Sequence, residues 1–241
     1  MTLLTIVQNA ADELGLDRPT DVVNSSTSDA TVRQLLALAN REGNELSDYR
    51  NWNAQNTITT ITTVAGQEGY DVPSDFSSFL NDTQWDLTNH WALIGPLSPQ
   101  EWEMIKSGIV TVGPRRRFRQ FGTAMKIYIN PTPSASDAGN TLRYEYSSKN
   151  WCQSATGTGQ SAWAADDDTG ILDEKLMTLG LKWRFLRANQ FDFSEEKSLY
   201  EEMCRVTAAR DGGAPVLTLA PRRRLPFLIG PANIPEAGFG S

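Results

Sequence analysis

Residues 57–64 read Thr-Ile-Thr-Thr-Ile-Thr-Thr-Val, β-branched at every position, which excludes a purely helical fold for the chain. The segments before it have the opposite character. Leu3, Val7, Ala10 and Leu14 recur at helical spacing, and Gly15 stands where a helix commonly stops. A second helix is expected to bury Val32, Leu35, Leu36, Ala39 and Leu46, with Ser28 as its N-cap and its end near Tyr49 to Trp52.

Strand chemistry continues after residue 64. Gly66-Gln67-Glu68-Gly69 is a turn leading to Tyr70-Asp71-Val72, so residues 57–64 and 70–72 are expected to form a hairpin. Trp85 and Trp91–Ile94 read as short strands around a polar turn holding Asn89 and His90. Ser98, Pro99 and Glu101 form a capping box with proline at the first helical position, which predicts a short helix over residues 99–107. Strands are then expected at residues 117–121, 126–129 and 142–146, with Asn130-Pro131-Thr132-Pro133 breaking the pattern.

Helical spacing returns with Leu172, Leu176, Leu179, Trp183 and Leu186, and Asp166-Asp167-Asp168-Thr169 is read as the acidic opening of that third helix. A fourth helix follows a break at residues 189–193, with Ser194 as cap and Leu199, Met203 and Val206 on its buried side. The expected fold class is therefore α+β. Flanks 1–55 and 151–212 supply a four-helix domain, and residues 56–150 supply an inserted, mostly antiparallel β domain.

Residues 213–241 fit neither unit. The stretch contains Pro215, Pro221, Pro226, Pro231 and Pro235, which exclude a helix or a central strand. It also carries large apolar residues and the cluster Arg222-Arg223-Arg224. This composition predicts an extended arm that becomes ordered on another surface, with Arg222, Arg223, Arg224, Leu225, Phe227, Leu228 and Ile229 as contacts to a partner or a neighbouring subunit.

Chemistry is scarce. The chain has 241 residues, 22 basic against 29 acidic, one histidine and two cysteines. One histidine excludes a His-rich metal site, and Cys152 and Cys204 match neither a CxxC pair nor a zinc module. The acidic run lacks the alternation and closing glutamate of a calcium loop. A triad through His90 lacks a GxSxG elbow, and no GxxxxGK[ST] or GxGxxG loop is present. No catalytic residue, metal or cofactor is expected. Apolar runs fall short of the roughly 20 residues that span a bilayer, and Met1-Thr2-Leu3-Leu4 lacks the basic start of a signal peptide, so a soluble protein without membrane contact is expected.

Arg115, Arg116, Arg117 and Arg119 surround Phe118, a pattern able to grip phosphate. In a strand, alternate arginines face opposite sides, and the whole chain is acidic. A subunit or tail contact is therefore preferred to DNA binding for these four residues.

The order of segments resembles a known family. Leu3-Leu4-Thr5-Ile6-Val7, Gln34–Gly43, Gly95-Pro96-Leu97-Ser98-Pro99-Gln100-Glu101-Trp102 and Trp163–Thr169 followed by Leu172-Asp173-Glu174 are similar to head-to-tail adaptors, tail tubular A-like proteins, of short-tailed bacteriophages. The resemblance implies a structural protein of the virion neck or tail, assembled in the host cytoplasm. It implies a ring of twelve copies that contacts the portal protein above and a tail nozzle or tube protein below, with tail fibres as further candidates. DNA would pass through the ring without sequence-specific binding. Two rival readings are a DNA-binding accessory phage protein acting through Arg115–Arg119, and a phage cell-wall hydrolase using Asp166, Asp167 and Glu174.

Overall fold

The computed structural model describes residues 1–108, 116–122 and 125–212, in an α+β arrangement with antiparallel sheets. Five α-helices lie within them: α1 (Leu3–Leu14), α2 (Ala30–Tyr49), α3 (Pro99–Lys106), α4 (Glu174–Ala188) and α5 (Ser194–Asp211). The arm residues 213–241, with Arg222 to Ile229, lie outside the described residues, as does Arg115.

Helix α1 opens at Thr2, whose hydroxyl accepts from the Thr5 amide, and closes at Gly15 with φ +69°. Helix α2 is capped by Asp29 rather than Ser28. The Asp29 carboxylate accepts from the amides of Thr31 and Val32, while Ser28 sits one residue too early and turns back to Ser25. Helix α4 begins eight residues after Asp166, with Asp173 as its cap, so the acidic run is not its opening. Its aspartates serve a loop, after which Thr169–Gly170 enters a small sheet. At α5 the capping position is Phe193, and the Ser194 hydroxyl donates to Asp192 Oδ1 at 2.6 Å instead of accepting from the helix.

Helix α4 is buried around most of its circumference by Leu176, Met177, Leu179, Leu181, Trp183, Arg184 and Phe185. It packs on α1, α2 and α5. One apolar cluster therefore joins Leu3, Ile6 and Val7, Leu35 and Leu46, Trp151 and Trp163, Leu176 and Leu181, and Cys204. Helix α5 meets it through Cys204 with Tyr200, Met203 and Ala208. Leu199, expected inside, is 48% exposed, because the contacting stripe begins one residue further round the helix at Tyr200.

A second apolar cluster holds Ile61, Tyr70, Phe76, Phe118, Ile127, Ile129, Leu142, Tyr144 and Tyr146. Its largest sheet contains β1 (Asn56–Thr62), β3 (Phe76–Phe79), β4 (Trp85–Asp86), β5 (Trp91–Ala92) and β8 (Thr141–Ser148). A smaller sheet has the order β2 (Gly69–Tyr70), β7 (Lys126–Asn130), β6 (Arg117–Phe121). The hairpins β4–β5 and β6–β7 and the capping box of α3 follow the sequence reading.

The expected hairpin between residues 57–64 and 70–72 does not form. Strand β1 pairs along its whole length with the distant β8, from Asn56↔Ser147 to Thr62↔Thr141, and β2 pairs with β7. A two-residue partner could not satisfy seven residues of β1, whereas β8 can. The Tyr70 hydroxyl still accepts from the Val64 amide at 3.0 Å, which ties the turn by a side chain. A third sheet, β10 (Gly159–Gln160), β9 (Cys152–Gln153), β11 (Thr169–Gly170), bridges to Thr2 at the start of α1.

The two clusters meet where the chain crosses between them. Gln55 is buried there, and its amide donates to Ser47 Oγ at 2.8 Å and to the Ser148 carbonyl at 3.1 Å. Trp52, three residues earlier, is buried with its indole N–H on the Leu46 carbonyl at 2.7 Å.

Candidate assembly surfaces

The residues singled out by sequence separate into buried and exposed groups. Arg116 is 6% exposed and lies between Asp86 Oδ2 at 3.6 Å and Asp137 Oδ1 at 3.4 Å, so its guanidinium is held inside the chain. Phe118 belongs to the β cluster, and Arg117, Arg119 and Phe121 alternate with it along β6. Arg119 stacks over Phe121 at 4.8 Å, and Phe121 stacks on Tyr128 at 4.0 Å. This gives a half-exposed cationic and aromatic face, as the alternation predicted, on a strand whose backbone is paired with β7 on one side and met by Ile94 and Leu97 on the other.

Asp166 and Asp168 of the acidic run are structural. Asp166 accepts from the amides of Val22 and Val23 at 3.1 and 2.9 Å. Asp168, buried, accepts from Ala164 and Ala165 at 2.7 and 2.8 Å. Glu174 pairs with the amino group of Met1. Of the three carboxylates a hydrolase would use, Asp166 and Glu174 are thus engaged in holding a loop and the chain start. Among the described residues no group of three or more His, Cys, Asp or Glu is placed to hold a metal ion. His90 occupies the β4–β5 turn with φ +58°. Cys152 is buried with its thiol on the Gln160 carbonyl, and burial pushes that thiol up to about 12.

Sequence reading missed the charged centre of the helical unit. Glu42 lies on the buried face of α2, inside an otherwise apolar stripe, and is 0% exposed. Arg184 of α4 meets it through Nη1 and reaches Glu45 Oε2 with Nη2 at 2.7 Å. The Tyr200 hydroxyl of α5 donates to Glu42 Oε1 at 2.8 Å. Three helices are thereby fixed around one carboxylate. Gly180 makes room for it, since a Cβ there would overlap the Glu42 carboxylate. The available signal was a pair of glycines on helix faces, Gly43 and Gly180, where close packing excludes a side chain.

Burial pushes the Glu42 carboxyl up from 4.5 to about 7, against the pull of Arg184 and Tyr200. Between those values the folded state holds a proton that the unfolded chain has released, so this group's stabilisation is greatest at the acidic end and is lost as pH rises through about 7. The urea midpoint is therefore expected to fall as pH rises through that window. Glu42→Gln should flatten the dependence; an unchanged slope in the variant would assign it to another group.

The C-terminal end of α5 is tied to the crossing. Asp211 Oδ2 accepts from the Asn53 amide at 3.1 Å, and Asn53 Nδ2 donates to the Asp211 carbonyl. Arg50 reaches both Asp211 and the Ala208 carbonyl. An open cavity of about 570 Å³ lies beside this junction, lined by Trp52, Ala54, Gly170 to Lys175, Thr207 and Asp211. The end of the last helix is thus a fixed point on the body.

The SU10 adaptor protein family model matches residues 1–225. The chain belongs to this family. The match runs through both apolar clusters and into the arm as far as Leu225, so the adaptor resemblance read from the motif order holds at the level of the family. Comparison with curated proteins returns no match. Among the described residues no helix of this SU10 adaptor family member is long and apolar enough to cross a membrane.

Proposed function

We propose that the chain is a head-to-tail adaptor of a phage virion, a structural protein that joins the portal to the tail nozzle or tube. The family match over residues 1–225 is the observation that carries this reading. The adaptor name implies a part that works by contact with other virion proteins, and the carboxylates described above are engaged in holding the fold. In the proposed assembly, copies of the chain form a closed ring of twelve through which DNA passes. A ring needs two different complementary surfaces on each subunit.

The body is divided as residues 1–55 with 151–212 for the helical domain and 56–150 for the β domain. The charged centre at Glu42 and Arg184 gives the helical part a fixed shape for stacking in a ring. Arg115, Arg117 and Arg119 are assigned to a subunit or tail contact, and Arg222 to Ile229 to the portal. The portal contact combines three cations with apolar anchors, a pairing suited to a groove with an acidic rim.

The test is electron microscopy of the purified protein mixed with its portal. A coaxial ring on the portal is expected, and no association at micromolar concentrations of either protein would overturn the reading. Replacing Arg222, Arg223 and Arg224 together by serine should weaken the complex and reduce its salt sensitivity.

A further inference from the structure

The chain has a net charge of −7, yet one of its faces has the opposite sign. Residues 117–130 contain Arg117, Arg119 and Lys126 and no carboxylate. In the β6–β7 hairpin Arg119 stands opposite Tyr128 and Phe121 opposite Lys126, while Phe118, Ile127 and Ile129 belong to the β cluster. Alternation therefore puts Arg117, Arg119, Phe121, Lys126 and Tyr128 together on the outer face. Phe121 is 38% exposed there, and Met125, at the turn, is 45% exposed. Lys126 pairs with Asp71 at 2.9 Å, and among the described residues no carboxylate pairs with Arg117 or Arg119.

Stacking prepares Arg119 for a partner. Its guanidinium is held over Phe121, which is itself stacked on Tyr128, so little side-chain freedom remains to be lost when its donors meet a carboxylate. A face that combines arginine with exposed aromatic rings has the composition of a protein interface. Its single sign of charge calls for an acidic partner with apolar residues of its own.

The helical unit of the same chain carries such a surface. Helix α5 packs on α4, with Cys204 as its buried residue. Residues 191–202 hold Asp192, Glu195, Glu196, Glu201 and Glu202 against Lys197 alone. Glu196 is drawn to Lys182 of α4 at 2.9 Å, whereas Glu195, Leu199 and Glu202 follow one another at helical spacing along an exposed stripe. Phe191, just before the helix, is 61% exposed. The pairs Lys197–Glu201 at 3.5 Å and Arg205–Glu202 at 3.6 Å are long and exposed, so they compete weakly with a cation from outside.

We infer that the outer face of β6–β7 in one copy docks on the acidic stripe of α5 in the next copy. Arg119 and Lys126 then meet Glu195 and Glu202, and Phe121 and Met125 cover Leu199. The two surfaces differ from each other and are opposite in sign, as a head-to-tail contact between identical subunits requires. Either face set against its own copy would bring like charges together, which disfavours a two-fold contact through it. The inference rests on the ring proposed above and names the surfaces that close it. It gives Arg117 and Arg119 to a neighbouring copy rather than to the tail.

The test is electron microscopy of the full chain mixed with its portal, scoring complete rings against protein concentration. The parent is compared with Arg119→Glu plus Lys126→Glu, with Glu195→Lys plus Glu202→Lys, and with all four substitutions in one chain. None of these side chains is buried, and denaturation midpoints verify that each variant folds. Each charge-reversed pair should need at least about tenfold more protein to complete a ring. The chain with all four should return to within about threefold of the parent, because opposite charges again face each other across the contact. Rings formed as readily by either reversed pair as by the parent overturn the inference and leave the adaptor reading standing. Failure of the fourfold variant to recover also overturns the pairing of these two faces. A parent that forms no ring overturns the inference and the adaptor reading together.

Discussion

Arg184→Ala is expected to lower stability by about 3–5 kcal/mol, the usual loss when one member of a buried ion pair is removed. The Glu42 carboxylate would remain fully buried at the centre of three helices, with the Tyr200 hydroxyl as its remaining partner from α4 and α5. Arg184 also covers Trp183 and Tyr200, 4.4 and 5.7 Å from their ring centres, so the truncation removes stacking as well. Chemical denaturation at a pH above the Glu42 titration, followed by tryptophan fluorescence, measures the loss. The double variant Glu42→Met with Arg184→Met should recover a large part of it, because both charges leave together. A double variant as unstable as Arg184→Ala would show that shape, not charge, is what the site requires.

Trp151→Ala should cost a similar ~3–5 kcal/mol, through the cavity left by a large aromatic ring. Trp151 is fully buried, meets Trp163 edge to face at 5.2 Å, and donates its indole N–H to Asn44 Oδ1 at 2.9 Å. Its ring lies directly on Gly43 of α2, where a Cβ would overlap it. Gly43→Ala is therefore destabilising on its own. Adding Gly43→Ala to Trp151→Leu should cost less than adding it to the parent, since the smaller side chain vacates the space. Denaturation midpoints of the parent, the two single variants and the double variant decide this, and simple additivity would refute the contact.

Local chemistry carried a good part of the fold into the sequence. The capping box at Ser98, the stop at Gly15 and the hairpins at residues 85–92 and 117–130 depend on residues a few positions apart, and the structure contains all of them. The failures are long-range. Strand β1 reads as half of a hairpin, yet its partner β8 lies far along the chain, and nothing in Thr57–Val64 specifies it. Asp166 reads as the beginning of a helix because carboxylates favour helix starts, while its actual partners are the amides of Val22 and Val23. Glu42 was invisible for the same reason, since only the arrival of Arg184 makes a carboxylate acceptable on that face. The arginines at 116, 117 and 119 show both sides of the matter: alternation separates Arg116 from the other two by side of the strand, but only the fold reveals Asp86 and Asp137 around it.

The crossing at Gln55 and Ser148 bears on how such a chain can diversify. Asn56 and Ser147 are paired neighbours, so the polypeptide enters and leaves the β unit through one narrow gate. Loops beyond that gate can lengthen, shorten or be exchanged without moving α1, α2, α4 or α5 relative to one another. Descendants of this architecture can therefore be re-equipped for new neighbours on the β side while their helical frame is inherited intact.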